Sequence, residues 1–326
     1  MSVSGNEFLV TGGTGMIGSA LVAELVREGC LVTLLVRDIA RAKDRFAALN
    51  ARDGIRYVQA DLSTGTVPDV GGRFNYIIHL ASTTHPKAYV ETPIGTISLN
   101  VLATKGLLDI AAGNPGCRFV YASSVEVYGR NRGDTELFDE GYCGYIDCNT
   151  LRAGYPESKR CGEALCQAYA KEKGVDFVIP RLARIYGSTL LKTDTKALSQ
   201  FIWNALEGRD IVLKSEGNQY FSYLHCDDAV SAIMTIIEKG VSGEAYNVAD
   251  EASDIRLRDL AALIAEYAGT RVVFDLPDVV ESAGFSTATT ARLDSSKLKA
   301  LGWRAQYDIE TGIKMTIEEL RKNWAF

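Results

Sequence analysis

The stretch Phe8-Leu-Val-Thr-Gly-Gly-Thr-Gly-Met-Ile-Gly18 decides how this chain is read. A short apolar run, Glu7 to Val10, breaks into glycines at Gly12, Gly15 and Gly18. Beyond them Ser19 to Arg27 carries Leu21, Val22, Leu25 and Val26 at helical spacing. The pattern predicts a strand, a tight turn and a helix start. Glycine suits such a turn because a pyrophosphate can approach a backbone without side chains, and the bare amides of a helix N-terminus offer donors and positive potential. The chain has 30 glycines, so the spacing alone would also fit a turn without a ligand. The flanking strand and helix favour a nucleotide cofactor.

Composition narrows the classes. At 326 residues, 47% hydrophobic and 23% charged, with mean hydropathy near zero, the chain reads as a soluble globular protein of one large core plus a smaller lobe. No apolar run matches the 18 or so residues of a membrane span. No basic segment followed by a cleavable apolar one opens the sequence, so a cytoplasmic location is expected. A net charge of -6 argues against a nucleic-acid partner. The seven cysteines form no Cys-x-x-Cys pair and read as reduced thiols, and three histidines are too few for a histidine-rich metal centre.

Strand-like runs at 31–36, 55–58, 76–80, 119–122 and 177–179 alternate with helical patterns at 19–28, 39–48, 97–112 and 157–173. Such alternation predicts an α/β fold with a doubly wound parallel sheet of Rossmann type, covered by helices on both faces. The dinucleotide-binding domain is expected over residues 1–180, rejoined by about 221–250. Residues 181–326 would form mainly a smaller C-terminal α/β substrate lobe, with a cleft between the two.

Tyr155 and Lys159 stand four apart at a predicted helix start, on one face. The chain has 15 tyrosines, so such a pair can arise by chance. What distinguishes it is the serine-bearing strand end Val120-Tyr-Ala-Ser-Ser124, at the carboxyl edge where open sheets place their sites. A neighbouring ammonium and a cationic cofactor ring would favour the phenolate, so Tyr155 would serve as base. Ser124 would share the substrate oxygen and Lys159 would also hold the nicotinamide ribose.

These motifs, with Asp61-Leu62, His79-Leu-Ala-Ser82, Arg181-x-x-x-x-Tyr186-Gly187, Asn247 and Gly302-Trp303, resemble the extended short-chain dehydrogenase/reductase (NAD-dependent epimerase/dehydratase) family. The likeness spans nearly the whole chain. Within the family the chain is most similar to UDP-glucuronate decarboxylases, through Tyr89, Pro93, Thr96, Asn100, Gly144-Tyr-Ile-Asp147, Arg152, Arg160 and Glu163. The resemblance implies a nucleotide-sugar substrate oxidised at C4 to a transient ketone, with the cofactor recycled. It implies cofactor contacts at Gly12, Gly15, Met16, Ile17, Gly18, Asp61, Leu62, Leu80, Ala81, Ser82 and Asn100 as well as Tyr155 and Lys159. Asn100, in a helix where its propensity is poor, is expected to hydrogen-bond beneath the site. Glu126 aligns with the carboxylate that dehydratases and decarboxylases place beside the activated carbon; a loop-capping role is the alternative. The resemblance also implies a homodimer, paired through the helices at 97–112 and 157–173.

Departures from the pattern bear on substrate and cofactor. Val125 stands where dehydratases have a proton-donating Asp, which disfavours 4,6-dehydration. Arg184 replaces a usual Asn, Phe221 replaces a phosphate-pairing Arg, and Ala291 replaces another, with Arg292 beside it; Arg184 is a candidate substitute for the lost guanidiniums. Val36 stands where NAD-selective enzymes have a carboxylate, and Arg37 resembles the 2′-phosphate clamp of plant dihydroflavonol reductases, which favours NADP. Asp38 within reach of the ribose keeps NAD as the alternative. His85 is a candidate substrate contact or a solvated loop residue, and His79 reads as packed. The leading expectation is therefore a nucleotide-sugar enzyme of epimerase, dehydratase or decarboxylase type. The alternatives are an NADP-dependent carbonyl reductase on a substrate without a nucleotide, and a dinucleotide sensor without catalysis.

Overall fold

In β1 (Glu7–Thr11) Phe8 and Val10 enter one apolar cluster while Leu9 enters another, so the strand is buried on both faces. The same alternation holds for Ile77 and Ile78 and for Phe119 and Val120. A strand of this kind is stable only inside a sheet clad on both sides. The computed structural model, which describes residues 3–84, 89, 91–275 and 289–323, has that arrangement. β2 (Leu31–Val36), β3 (Ile55–Gln59), β4 (Tyr76–His79), β5 (Arg118–Tyr121), the short β6 (Ser123–Ser124), β7 (Asp176–Leu182) and, much later, β11 (Glu244–Val248) complete an all-parallel sheet. Its order is β11-β7-β5-β4-β1-β2-β3, with β6 pairing β7. The order reverses at β1, and ligands of open α/β sheets bind outside the carboxyl ends at such a switch point.

A second unit holds β8 (Arg184–Tyr186), β9 (Ile211–Leu213), β10 (Tyr220–His225), β12 (Asp254–Arg256), β13 (Val272–Phe274) and β14 (Thr290–Ala291). Its own core gathers Phe201, Ile202, Leu213, Phe221, Leu260, Ile264, Leu293 and Ile317. Between β10 and β11 the helix Cys226–Lys239 returns to the large sheet, contributing Ala229, Ile233 and Ile236 to the core of Phe8 and Val10. On this helix the Asp228 carboxylate accepts from the amides of Gln306 and Tyr307 at 2.8 and 3.1 Å, which holds the chain leading into the helix Ile309–Asn323.

The helix Pro93–Ala112 contains one π turn, Leu99–Ala103, and packs along the helix Gly154–Lys173. At 20 residues and a mean hydropathy of 1.3 in its most apolar window, it is long and apolar enough by composition to cross a membrane. Thr96, Ser98, Asn100 and Thr104 interrupt its apolar run. Those polar residues serve the interior: Thr96, Asn100 and Thr104 are at most 1% exposed.

The glycine turn is fixed by contact. Gly12 has φ +72°, and a Cβ there would lie 2.5 Å from the Ala81 amide nitrogen; at Gly18 it would lie 2.2 Å from the Gly12 carbonyl oxygen. At Gly15 the nearest atom would be 3.3 Å away. Gly12→Ala and Gly18→Ala are therefore expected to cost about 1–3 kcal/mol of stability each, read as a fall in Tm. Gly15→Ala should leave Tm nearly unchanged and weaken cofactor binding.

Candidate active site

The helix Met16–Arg27 opens on Gly15 with no side-chain cap and no acidic residue in its first turn. Its first amides thus face the carboxyl edge of the sheet bare, which suits a pyrophosphate. Gly13, absent from the expected set, is equally constrained: a Cβ there would sit 2.3 Å from Leu34 Cδ1. Beside the turn, Thr11 Oγ1 accepts from the Ala81 amide at 3.2 Å and bonds His79 Nδ1 at 2.7 Å. His79 is fully buried, and burial foremost depresses its pKa to about 3, so it is a neutral packed residue.

A single cavity of about 1870 Å³ runs from this turn into the smaller unit. Gly12, Gly15, Met16, Ile17, Gly18, Arg37, Asp61, Leu62, Leu80, Ala81 and Ser82 line one part, and Ser124, Glu126, Tyr155, Lys159, Arg184 and Phe221 line the rest. The volume exceeds the roughly 300–1,000 Å³ of a typical small-molecule pocket, leaving room for a dinucleotide and a second ligand. Arg37 is exposed on its rim, and Asp38, beside it, accepts from the Arg41 amide as a helix N-cap. Asp61 accepts from Ser63 through both its amide and its hydroxyl, which holds its carboxyl below the usual range, with the Arg37 charge adding a smaller effect.

Tyr155 and Lys159 lie in the first turns of the helix Gly154–Lys173, 5% and 2% exposed. Lys159 Nζ donates to the Ala122 carbonyl at 2.8 Å and stands 4.8 Å from the centre of the Tyr121 ring. Burial drives its pKa down to about 7, with the Glu163 charge opposing. Tyr155 is pushed up to about 12, again by burial, while hydrogen bonds with Ser124 and Ser82 pull the other way. In the protein alone the phenol is therefore a weaker acid than a free tyrosine. Desolvation of the phenolate outweighs both serine bonds; the positive ring of a bound nicotinamide would have to supply the difference.

Beneath these residues runs a line of satisfied polar groups. Ser82 Oγ donates to Asn100 Oδ1 at 2.8 Å, and Asn100 Nδ2 donates to Ser158 Oγ at 2.9 Å. Asn100 is wholly buried in the π turn and does not line the cavity, so it meets Ser82 and Ser158 beneath the site and is not placed for the expected cofactor contact. Ser123 Oγ donates to Glu163, which pairs with Arg181 at 2.6 Å, and Arg181 also donates to Tyr128 and the Glu140 carbonyl. This network anchors the end of β6, where Ser124 accepts from the Glu126 amide at 3.2 Å.

Glu126 stands between two guanidiniums, 3.3 Å from Arg152 Nη2 and 4.0 Å from Arg184 Nη2. In the sequence Arg152 is marked only by the likeness to UDP-glucuronate decarboxylases, and its pairing with Glu126 is visible only in the fold. The Tyr89 ring stacks on Tyr155 with centres 4.9 Å apart, a contact that no local pattern reveals. Arg292 lies outside the cavity: its guanidinium bonds Asp254 at 2.7 Å and stacks against Tyr220. His85 lies outside the described residues. Among the described residues no cluster of metal-ligating side chains occurs.

The depressed Lys159 pKa has a sign that can be checked. Between about pH 7 and 10.5 the unfolded chain binds the proton and the folded one does not, so stability rises with pH across that window. Lys159→Met is expected to remove that rise and to raise Tm at pH 7, with activity lost. Urea titrations of both proteins from pH 6 to 10 measure the difference.

The likenesses to known proteins follow the same geometry. The chain is 28% identical over 316 residues to a UDP-glucuronic acid decarboxylase of Danio rerio, covering 96% of this chain and 72% of that one. A UDP-glucose 4-epimerase of Thermotoga maritima, solved with UDP-glucose, superposes with a TM-score of 0.83 at 22% identity, covering 97% and 99% of the two chains. A dTDP-glucose 4,6-dehydratase of Streptomyces venezuelae, solved with NAD bound, gives 0.82 at 25% identity and 98% of each chain. The profile of the NAD dependent epimerase/dehydratase family matches residues 8–249, and this chain belongs to that family.

Proposed function

We propose that the protein is an NAD(P)-dependent enzyme that modifies a nucleotide sugar by transient oxidation to a 4-keto sugar, with net decarboxylation or epimerisation. The observation that carries this reading is the joining, in one cavity, of a bare glycine turn, Tyr155 with Lys159 and Ser124, and a carboxylate at Glu126. When bound, the nicotinamide supplies a hydride acceptor that later acts as donor. Tyr155 takes the carbinol proton and returns it, Ser124 orients the same oxygen, and Lys159 holds the ribose and favours the phenolate. Glu126, held by Arg152, moves a proton at the carbon next to the ketone. A simple ketone reductase needs no such group. Val125, 6% exposed and apolar, offers no proton for a departing hydroxyl, so 4,6-dehydration is disfavoured.

For the cofactor we favour NADP over NAD. Arg37 on the cavity rim, buried Val36 in place of a carboxylate, and Asp38 committed as a helix cap all support this. The free state of all seven cysteines fits a cytoplasmic location. A homodimer is supported by Ile94, Ile97 and Leu102 on the helix Pro93–Ala112 and by Leu151, which are 80%, 44%, 49% and 59% exposed. A monomeric mass by sedimentation at micromolar protein would contradict it.

Turnover of UDP, CDP, GDP and dTDP sugars with catalytic cofactor tests the reading. Product should accumulate with no net change in absorbance at 340 nm; steady NADPH consumption would instead identify a reductase. Tyr155→Phe is expected to lower kcat by roughly 10²–10⁴-fold while the cofactor Kd stays within about twofold. Full activity in that variant would remove Tyr155 from the chemistry.

A further inference from the structure

One side chain in the cleft lacks the partners its chemistry requires. Arg184 opens β8 in register with Tyr223 of β10, and its guanidinium carbon lies 3.5 Å from the centre of the Phe221 ring. The ring covers one face of the cation and fixes its plane. Along its edge the nearest anion is Glu126, at 4.0 Å from Nη2 and beyond hydrogen-bond length. Among the described residues none of its N–H groups has a hydrogen-bond partner, and Nη1 is buried. Burial lowers the pKa of this group, a sign of how little the protein compensates its charge.

The other cations of the substrate half are engaged. Arg152 pairs with Glu126 and Lys196 with Asp194, at 3.3 and 2.9 Å, and Lys214 pairs with Asp275. A guanidinium only 23% exposed and without hydrogen bonds is costly to hold unless a ligand completes it. Its planar fork matches the two oxygens of a phosphoryl or carboxylate group, and a flat aromatic seat keeps that fork oriented.

We propose that Arg184, seated on Phe221, is the specificity-determining anchor for an oxyanion of the substrate, phosphoryl or carboxylate, held beside the Glu126 carboxylate. This rests on the nucleotide-sugar reading above and assigns the anion-binding role to one residue. With Glu126 already offset by Arg152, Arg184 leaves a single positive charge at this end of the cleft. Phe221 contributes no charge there, and the neighbouring Arg152 is engaged by Glu126.

Calorimetric Kd values for UDP, UDP-glucose and UDP-glucuronate, measured on the cofactor-loaded wild type and on Arg184→Gln, test the assignment. The variant should bind at least one of them roughly 10–100-fold more weakly, with cofactor Kd unchanged and a Tm no lower than that of the wild type. A loss shared by all three identifies a phosphoryl group; a loss confined to UDP-glucuronate identifies a carboxylate. Phe221→Leu, which keeps the charge and removes the seat, should give a smaller loss for the same ligand. That variant also serves as the readout should Arg184→Gln fail to fold. Wild-type affinities in the variants would overturn the role of Arg184 and leave the nucleotide-sugar reading standing. A wild type that binds none of the three would overturn both.

Discussion

The site depends on one backbone contact, that of Gly12 against the Leu80–Ala81 peptide. A Cβ at Gly12 would come within 2.5 to 2.7 Å of three atoms there. The carboxyl ends of β1 and β4 are thereby drawn together at the point where the strand order reverses. The bare N-terminus of the first helix and residues 80–82 then form one floor, and Ser82 reaches from it toward Tyr155. A side chain at Gly12 would separate the two, so the glycine turn and Tyr155 are positioned by the same constraint.

Holding Lys159 and Tyr155 in a desolvated place has a cost that the surrounding polar groups offset. Lys159 has the Ala122 carbonyl and the Tyr121 face; Asn100 and Ser158 tie Ser82 to the helix that carries Tyr155; Glu163 and Arg181 secure the strand end before Ser124. The π turn has a physical role here. It alters the helix register where Asn100 must point inward, and such turns recur at functional sites. The result is a site whose titrating groups, Lys159 and Tyr155, are set by burial first.

Much of this was legible in the chain. The glycine turn, the alternating strands and helices, and the Ser124, Tyr155 and Lys159 set rest on local spacing, and each lies where that spacing placed it. What could not be read depends on partners distant in sequence. Arg292 looks like an anion ligand beside Ala291, yet Asp254, 38 residues away, holds it outside the cavity. Arg184 and Phe221 look like two unrelated departures until β8 and β10 pair and stack one upon the other. The upward push of burial on Tyr155 was hidden too, because a motif shows the neighbouring charge but not the depth of burial.

The central claim is that the sugar is oxidised and reduced again within one turnover at Tyr155. A nucleotide-sugar substrate deuterated at C4 and turned over with unlabelled cofactor tests it most directly, by mass spectrometry of product and of released cofactor. The account predicts that the product keeps the deuterium and that the cofactor in solution carries none. Deuterium in the free reduced cofactor, or a product formed with C4 untouched in the Tyr155→Phe variant, would contradict it.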